Sequence, residues 1–459
     1  MKKNIFFHPA DLRGAGRLAI DAVTGVTDTV ELMHHNISRF PFIFGRSTHE
    51  RMGGISGFVY SCVRGVTRLT GNAIELAGRH VIEPLVPMAA GKTAAAPGRD
   101  ALLAALNGVL GDYMENTGNP MAIKMQFRRH GIPLETGKYA LAEAVPAPKN
   151  KILVLVHGLC MNDRQWHRKG HDHGAALARD LGYTAVYLNY NTGRHVSDNG
   201  RALARMLDEL TRNWPVEPVE VAFLGHSMGG LVARSACHYG AASGHGWVKK
   251  LKKIVFLGTP HHGTRLERMG NRLEFAMGLS PYSAALARLG SVRSAGITDL
   301  RYGSVRRGDL AGTDRFKHTT DRRIPVPLPD NVRCCAIAAS AWKEGGATGL
   351  FAGRFSGRFR DGFPGSYTRR FAALSSGAFP GGSPAPYPGR YPGRYPGRYP
   401  GSCLHSDGLV PLDSALGRHK HPAYHLGIPE SRQWVKYGIN HFDLLSHPEV
   451  YETIRGFME

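Results

Sequence analysis

From Lys151 onward the chain alternates short, unbroken apolar runs with longer stretches whose apolar residues recur at helical spacing. Runs over 152–156, 184–188, 219–224, 253–257 and 332–338 are rich in Val, Ile and Leu and too short to be helices, so they read as buried strands. Between them, 175–181, 199–210 and 228–239 carry the helical period. A further strand is expected over 433–437, with a terminal helix starting near Pro448. Strands without polar alternation, separated by helices, predict a mostly parallel sheet with helices on both faces. In such an α/β fold the chemistry gathers at the carboxyl ends of the strands.

This pattern divides the chain into a helical N-terminal extension over 1–120 and an α/β domain over 121–459. In the extension, Leu18, Ala22, Val26, Val30 and Met33 mark a helix over 11–38, 53–78 is a weaker glycine-rich candidate, and 100–116 opens on Asp100 as an N-cap. Two insertions interrupt the α/β domain. The first, 264–331, places Leu273, Phe275, Leu279, Leu286 and Leu289 in a helix-like stretch that would form a cap, either mobile or fixed. The second, 345–402, is rich in Gly, Pro and Arg, carries Asp361 as its single acid, and repeats Tyr-Pro-Gly-Arg from Tyr387, Tyr391 and Tyr395. Such composition cannot bury a core and reads as a low-complexity loop.

Composition narrows the partners only a little. The apolar fraction of 42% in 459 residues is ample for a core. The net charge of +22 favours anionic surfaces, but the arginine-rich second insertion inflates it, so no specific nucleic-acid partner is expected. Cys334 and Cys335 are adjacent in one expected strand and should face opposite sides, and the six cysteines have no metal-ligand spacing. The opening Met1 to Phe7 is too short for a secretory core and no run approaches a membrane span. The expectation is a cytoplasmic protein that can sit peripherally on an anionic membrane.

The chemistry-bearing motif is Gly225-His226-Ser227-Met228-Gly229, set between the expected strand at 219–224 and the helix from Met228. A serine on a strained strand-to-helix turn is exposed above the sheet, and the small residues let strand and helix approach. The first expected strand ends in His157-Gly158-Leu159, and the strand after the Ser227 helix ends in Gly258-Thr259-Pro260-His261-His262-Gly263. Ser406-Asp407-Gly408-Leu409-Val410-Pro411 and Asn440-His441-Phe442-Asp443 follow toward the C-terminus.

Together, in this order, these five blocks resemble the lipase branch of the α/β hydrolases, in particular bacterial triacylglycerol lipases and GPI inositol-deacylase-like hydrolases. The resemblance runs from Lys151 to Glu459 apart from the second insertion. It implies a triad in chain order: Ser227 as nucleophile, Asp407 as acid and His441 as base. Asp413 is the rival acid, and His405, His419, His421, His425 and His447 are competing histidines without a comparable block. Backbone N–H groups of Leu159 and Met228 would form the oxyanion hole, with His157 bracing its loop. In secreted relatives a residue placed like Asp443 helps hold calcium, but no second carboxylate accompanies it, and a local loop cap is the plainer reading. His261 and His262 read as loop architecture. The implied activity is hydrolysis of a carboxylic ester or lipid through an acyl-enzyme, with no cofactor and no resident metal. The alternatives are a phospholipid or lipid-linked deacylase or acyltransferase, and a non-catalytic hydrolase-fold protein that binds lipid or a partner.

Overall fold

The computed structural model describes residues 9–39, 60–61, 63–67, 97–264, 293–310, 320–342 and 406–459. The helix-like stretch 273–289, the Tyr-Pro-Gly-Arg repeats, His405 and most of 53–78 lie outside these residues.

An eight-stranded sheet organises the chain: β1 (Gln126–Arg129), β2 (Ile132–Leu134), β3 (Lys151–Val156), β4 (Thr184–Asn189), β5 (Glu220–His226), β6 (Leu251–Leu257), β7 (Arg333–Ser340) and β8 (Gln433–Tyr437). Their spatial order is β2-β1-β4-β3-β5-β6-β7-β8. From β4 through β8 all pairings are parallel, whereas β1 is antiparallel to both β2 and β4. Longer helices are α1 (Pro9–Arg39), α2 (Pro97–Asn116), α3 (His173–Leu181), α4 (Val196–Arg212), α5 (Met228–Ala242) and α6 (Pro448–Met458).

Strand alternation explains why both faces are covered. Ile152, Val154 and Val156 of β3 join one apolar cluster with Phe223, Phe256 and the α4 residues Leu203 and Leu207. Leu153 and Leu155 point the other way, into a second cluster with Leu224, Val255 and the α6 residues Val450 and Ile454. Cys334 and Cys335 divide in the same manner, one to each cluster. Because every β3 residue from Ile152 to Val156 is fully buried, the strand has no polar face, as a central parallel strand requires.

The edge hairpin β1–β2 was not anticipated from the pattern. Its strands are short and arginine-bearing, and the two-residue turn is His130-Gly131, with φ of 54° and 73°. Both central residues at positive φ match the twist of a tight hairpin, although His is an unusual occupant. Asp100 also differs from its expected place. The helix starts at Pro97, so Asp100 lies in the first turn, and its carboxylate pairs with Arg128 (3.3 Å) and Arg164 (3.2 Å) rather than capping the helix.

The N-terminal helices pack together and onto the sheet domain. Arg99 binds Asp11 of α1 at 2.5 and 2.8 Å, and Asn119 donates to the carbonyl of Gly14 at 3.0 Å. Arg64 bonds Asp28 (3.0 Å) and Glu31 (2.5 Å) of α1. Helix α2 lies on the loops that follow β3 and β4: a Cβ at Gly108 would fall 2.2 Å from the Cys160 sulfur, and one at Gly111 1.9 Å from Asn191 Oδ1. Asn191 donates to the Gly111 carbonyl at 2.8 Å, and Ser294 to that of Gly108 at 2.6 Å. No described helix is long and apolar enough to cross a membrane.

Candidate active site

Strand order dictates where a site can form. From β3 the chain moves outward to β4, then returns across β3 to form β5 on its other side. The loops leaving β3 and β5 therefore diverge to opposite faces and leave a crevice at their carboxyl ends. Val156 pairs with Gly225, so the residues that follow, His157-Gly158 and His226-Ser227, emerge side by side.

Ser227 is the turn between β5 and α5, with φ 53° and ψ −127°. A non-glycine residue held there is strained by about 1–3 kcal/mol and persists only because its surroundings hold it. The constraint is visible at Gly229, where a Cβ would lie 2.0 Å from the carbonyl oxygen of Val156. Only glycine lets α5 press this close to β3. The Ser227 N–H donates to the Leu257 carbonyl at 2.8 Å, tying the turn to the end of β6.

His441 lies on the loop after β8, buried at 2% exposure, with Asp407 buried beside it at 3%. Nδ1 of His441 is 2.6 Å from Asp407 Oδ2, and the His441 backbone N–H donates to the Asp407 carbonyl at 3.1 Å. Asp407 Oδ1 accepts from the N–H groups of Leu409 (2.9 Å) and Val410 (2.8 Å), which fixes the carboxylate plane. A carboxylate accepts, so Nδ1 carries a hydrogen, and in the neutral ring it is Nε2 that keeps the lone pair. That Nε2 is buried and has no hydrogen-bond partner among the described residues.

Two contacts bring His441 and Ser227 onto one platform. Gly258, next to the Leu257 that holds Ser227, faces the imidazole: a Cβ there would fall 2.9 Å from Cε1 and 3.0 Å from Nδ1. On the other side His226 Nε2 lies 3.3 Å from the His441 carbonyl oxygen, with ring centroids 4.7 Å apart. Burial holds His226 well below the usual histidine range, so it packs as a neutral ring.

The loop after β3 abuts the serine, since a Cβ at Gly158 would sit 3.0 Å from that of Ser227. Tyr190 donates to the His157 carbonyl (2.8 Å), His157 stacks on Tyr190 at 4.5 Å, and Cys160 N–H donates to Thr192 Oγ1 at 3.2 Å. His157 is thus a brace, and burial pushes its pKa down to about 4. The Leu159 N–H has no acceptor among the described residues, and Met228, first in α5, has none within its helix.

The other candidates fall elsewhere. Asp413 sits in the short helix Leu412–Ala415, and Asp407 alone of the two contacts His441. His447 caps α6 by accepting from Glu449 N–H, and His419 and His421 flank the Tyr424 ring. Asp443 is occupied by Lys169 Nζ (2.8 Å) and by the Asn440 N–H (3.2 Å), and Lys169 holds its pKa below the ordinary value. It acts as a loop cap and ion-pair partner. Among the described residues no three His, Cys, Asp or Glu side chains are grouped to hold a metal. His261 and His262 anchor their loop through N–H bonds to the carbonyl (3.2 Å) and hydroxyl (3.0 Å) of Ser414. Sequence reasoning missed the contact of His226 with His441 and the space left by Gly258, since neither leaves a periodic or spacing signal.

A largely parallel eight-stranded sheet, with a serine at positive φ between strand and helix and an Asp–His pair on later loops, is the arrangement of the α/β-hydrolase fold. Residues 148–324 match the PGAP1-like alpha/beta domain. No curated protein matches the chain. Among solved structures it is similar to a Bacillus licheniformis lipase, BlEst2, in its propeptide form, at 18% identity and TM-score 0.36. That match covers 67% of this chain and 51% of the other, so the chain spans about half the length of that lipase. A lipase-esterase related protein of Clostridium acetobutylicum is similar at 11% identity and TM-score 0.30, over 67% of this chain and 95% of its own. An α/β-hydrolase fold protein from Chitinophaga pinensis is similar at 13% and 0.29, over 68% and 90%.

Proposed function

We propose that the protein is a serine carboxylic ester hydrolase of the lipase or esterase type, with Ser227 as nucleophile, His441 as general base and acid, and Asp407 as the residue that orients the imidazole. The observation that supports this reading is the 2.6 Å contact of Asp407 Oδ2 with His441 Nδ1, which leaves the His441 Nε2 buried and without a partner among the described residues, on a loop packed against the Ser227 turn. In the reaction His441 Nε2 takes the Ser227 proton as Oγ attacks the ester carbonyl. Collapse of the tetrahedral intermediate breaks the bond to the alcohol, which leaves with the proton returned by His441. Water, deprotonated by the same nitrogen, then releases the acid from the acyl-serine. Leu159 and Met228 N–H groups bind the developing oxyanion, each supplying about 3 kcal/mol in the transition state.

A second reading, deacylation of a phospholipid or lipid-linked substrate, is favoured by the match of 148–324 to the PGAP1-like domain. It uses the same residues and differs in the alcohol released. The test is labelling by a fluorophosphonate probe together with turnover of p-nitrophenyl esters of graded chain length and of a lipid panel. Wild type should label and turn over, and Ser227→Ala should do neither while remaining folded. A Ser227→Ala variant that keeps more than about a tenth of wild-type turnover would remove Ser227 from the nucleophile role.

A further inference from the structure

Helix α1 is packed along one side and bare along another. Asp11 turns inward to Arg99, Gly14 to Met121, and Leu18 to the cluster of Leu103, Met114 and Met121. Leu12, Ala15, Ala19, Ala22, Val23 and Val26 are all exposed, the leucine and the two valines at 59%, 47% and 54%. At about 100° per residue these six fall within a sector about 100° wide, and no other residue from 12 to 26 shares it. The stripe is therefore wholly apolar and roughly 21 Å long at ~1.5 Å per residue. Arg13, Arg17 and Asp21 all lie outside it.

Size and charge decide what such a face meets. Positions 12, 15, 19, 22 and 26 keep the spacing of a helix–helix seam, but alanine fills 15, 19 and 22, where a stable two-chain seam places Leu, Ile or Val. The chain at either end of α1 points to lipid instead. Before it stand Lys2, Lys3, Ile5, Phe6 and Phe7, and after its last residue, Arg39, come Phe40, Phe42, Ile43, Phe44 and Arg46. Neither 1–8 nor 39–49 contains an acid. Covalent continuity brings this positive charge and these bulky apolar side chains to the two ends of α1. An apolar helical stripe flanked by basic and aromatic residues is the composition that lies in the interface of an anionic bilayer.

We infer that α1 is a membrane-docking helix, which lays its exposed stripe over 12–26 into the headgroup region of an anionic lipid bilayer. The stripe exchanges water for acyl chain, and the basic residues at its ends are held to the surface by charge, which salt screens. Asn119 ties α1 to the residues that follow α2, and α2 rests on the loops after β3 and β4. Those loops lie at the carboxyl ends of the strands, the end of the sheet that carries Ser227. The docking face thus belongs to the N-terminal extension and not to the first insertion, where a cap was expected. Docking of this kind needs no catalysis and stands apart from the ester-hydrolase reading.

Sedimentation of the full chain with sucrose-loaded vesicles tests this without any turnover. The vesicles are phosphatidylcholine, with or without about 30 mol% phosphatidylglycerol. Wild type should partition about tenfold or more in favour of the anionic vesicles and come off as salt is raised. The arginine-rich second insertion also draws anionic surfaces, so the variants decide. Ala19→Glu with Val26→Glu, two exposed positions where glutamate suits a helix, should weaken partition about tenfold or more. Tyr139→Glu with Val219→Glu makes the same charge change at exposed positions of the α/β domain and should stay within about twofold of wild type. Circular dichroism checks folding, and Leu12→Gln with Val23→Gln replaces the first pair if that pair does not fold. No partition of wild type onto anionic vesicles at low salt, unchanged partition in a folded stripe variant, or equal loss in the stripe and control pairs would overturn the proposal. Self-association of wild type that the stripe pair abolishes, with no change in vesicle binding, would give the face to a second copy and overturn it as well.

Discussion

Replacing Gly258 by alanine isolates the coupling between the β6 loop and His441. Two costs are built into that position. Its φ of 57° is left-handed, which disfavours any residue with a Cβ by about 1–2 kcal/mol. The new Cβ would also lie 2.9 Å from His441 Cε1, 3.0 Å from Nδ1, and 2.9 Å from the Leu444 Cδ1. Leu444 can rotate, but the imidazole is pinned at Nδ1 by Asp407 (2.6 Å) and through its backbone N–H (3.1 Å). The ring must therefore tilt about that anchor, moving Nε2 away from the serine. Misplacing a catalytic group by about 1 Å costs roughly a hundredfold in rate. Gly244→Ala is the matched control: its φ is 67° and a Cβ there meets nothing within 4 Å, so it carries the backbone cost alone. Both variants should melt a few degrees below wild type, at about 2–4 °C per kcal/mol or less in a chain this long. On a short soluble ester Gly258→Ala should lose up to about a hundredfold in kcat/KM, and Gly244→Ala should match wild type. A Gly258→Ala protein with wild-type kcat/KM would refute the packing argument, and equal loss in both would trace it to backbone strain.

Acid should destabilise the protein before its carboxylates titrate. Burial depresses His157 and His173 to about 4 from an unfolded value of 6.5, so their contribution is complete above pH ~6.5 and is lost as pH falls toward 4. At pH 5 each removes about 2 kcal/mol, and urea midpoints equal at pH 5 and 7.5 would contradict the neutral burial of these rings. Asp407→Asn should cut turnover by about 10³–10⁴-fold, whereas Asp413→Asn, with no contact to His441, should leave kcat near wild type; the reverse ranking would move the acid to Asp413.

What could be read from the chain depended on how local the signal was. Strands β3 to β7 were legible because burial on both faces forces unbroken apolar runs, and their expected limits fall within a residue or two of those observed. β1 and β2 were not, since an edge hairpin buries few residues: Phe127 and Leu134 are its buried apolar anchors amid arginines. The Ser227 turn was legible from its glycines, and the contact of Asp407 with His441 was anticipated only through resemblance, because 34 positions separate them. Asp100 misled because an acid before an apolar run resembles a cap, while tertiary arginines had the stronger claim on it. The docking of α2 has no local signature, as glycines such as Gly108 and Gly111 weaken a helix in isolation and make sense only against Cys160 and Asn191.

The β1–β4 pairing has a consequence for how the protein can be made and cut. Strand β4 is internal only because Gln126, Phe127 and Arg128 cover Asn189, Leu188 and Tyr187. A fragment beginning at residue 148, where the domain match starts, would leave that edge open and strip α2 from the loops after β3 and β4. An unpaired, apolar strand edge is a template for association between chains. During synthesis the β1–β2 hairpin leaves the ribosome before β4 exists, so the free edge of β1 must wait uncovered until about sixty further residues have followed. The interval is one in which a holding chaperone would find its substrate.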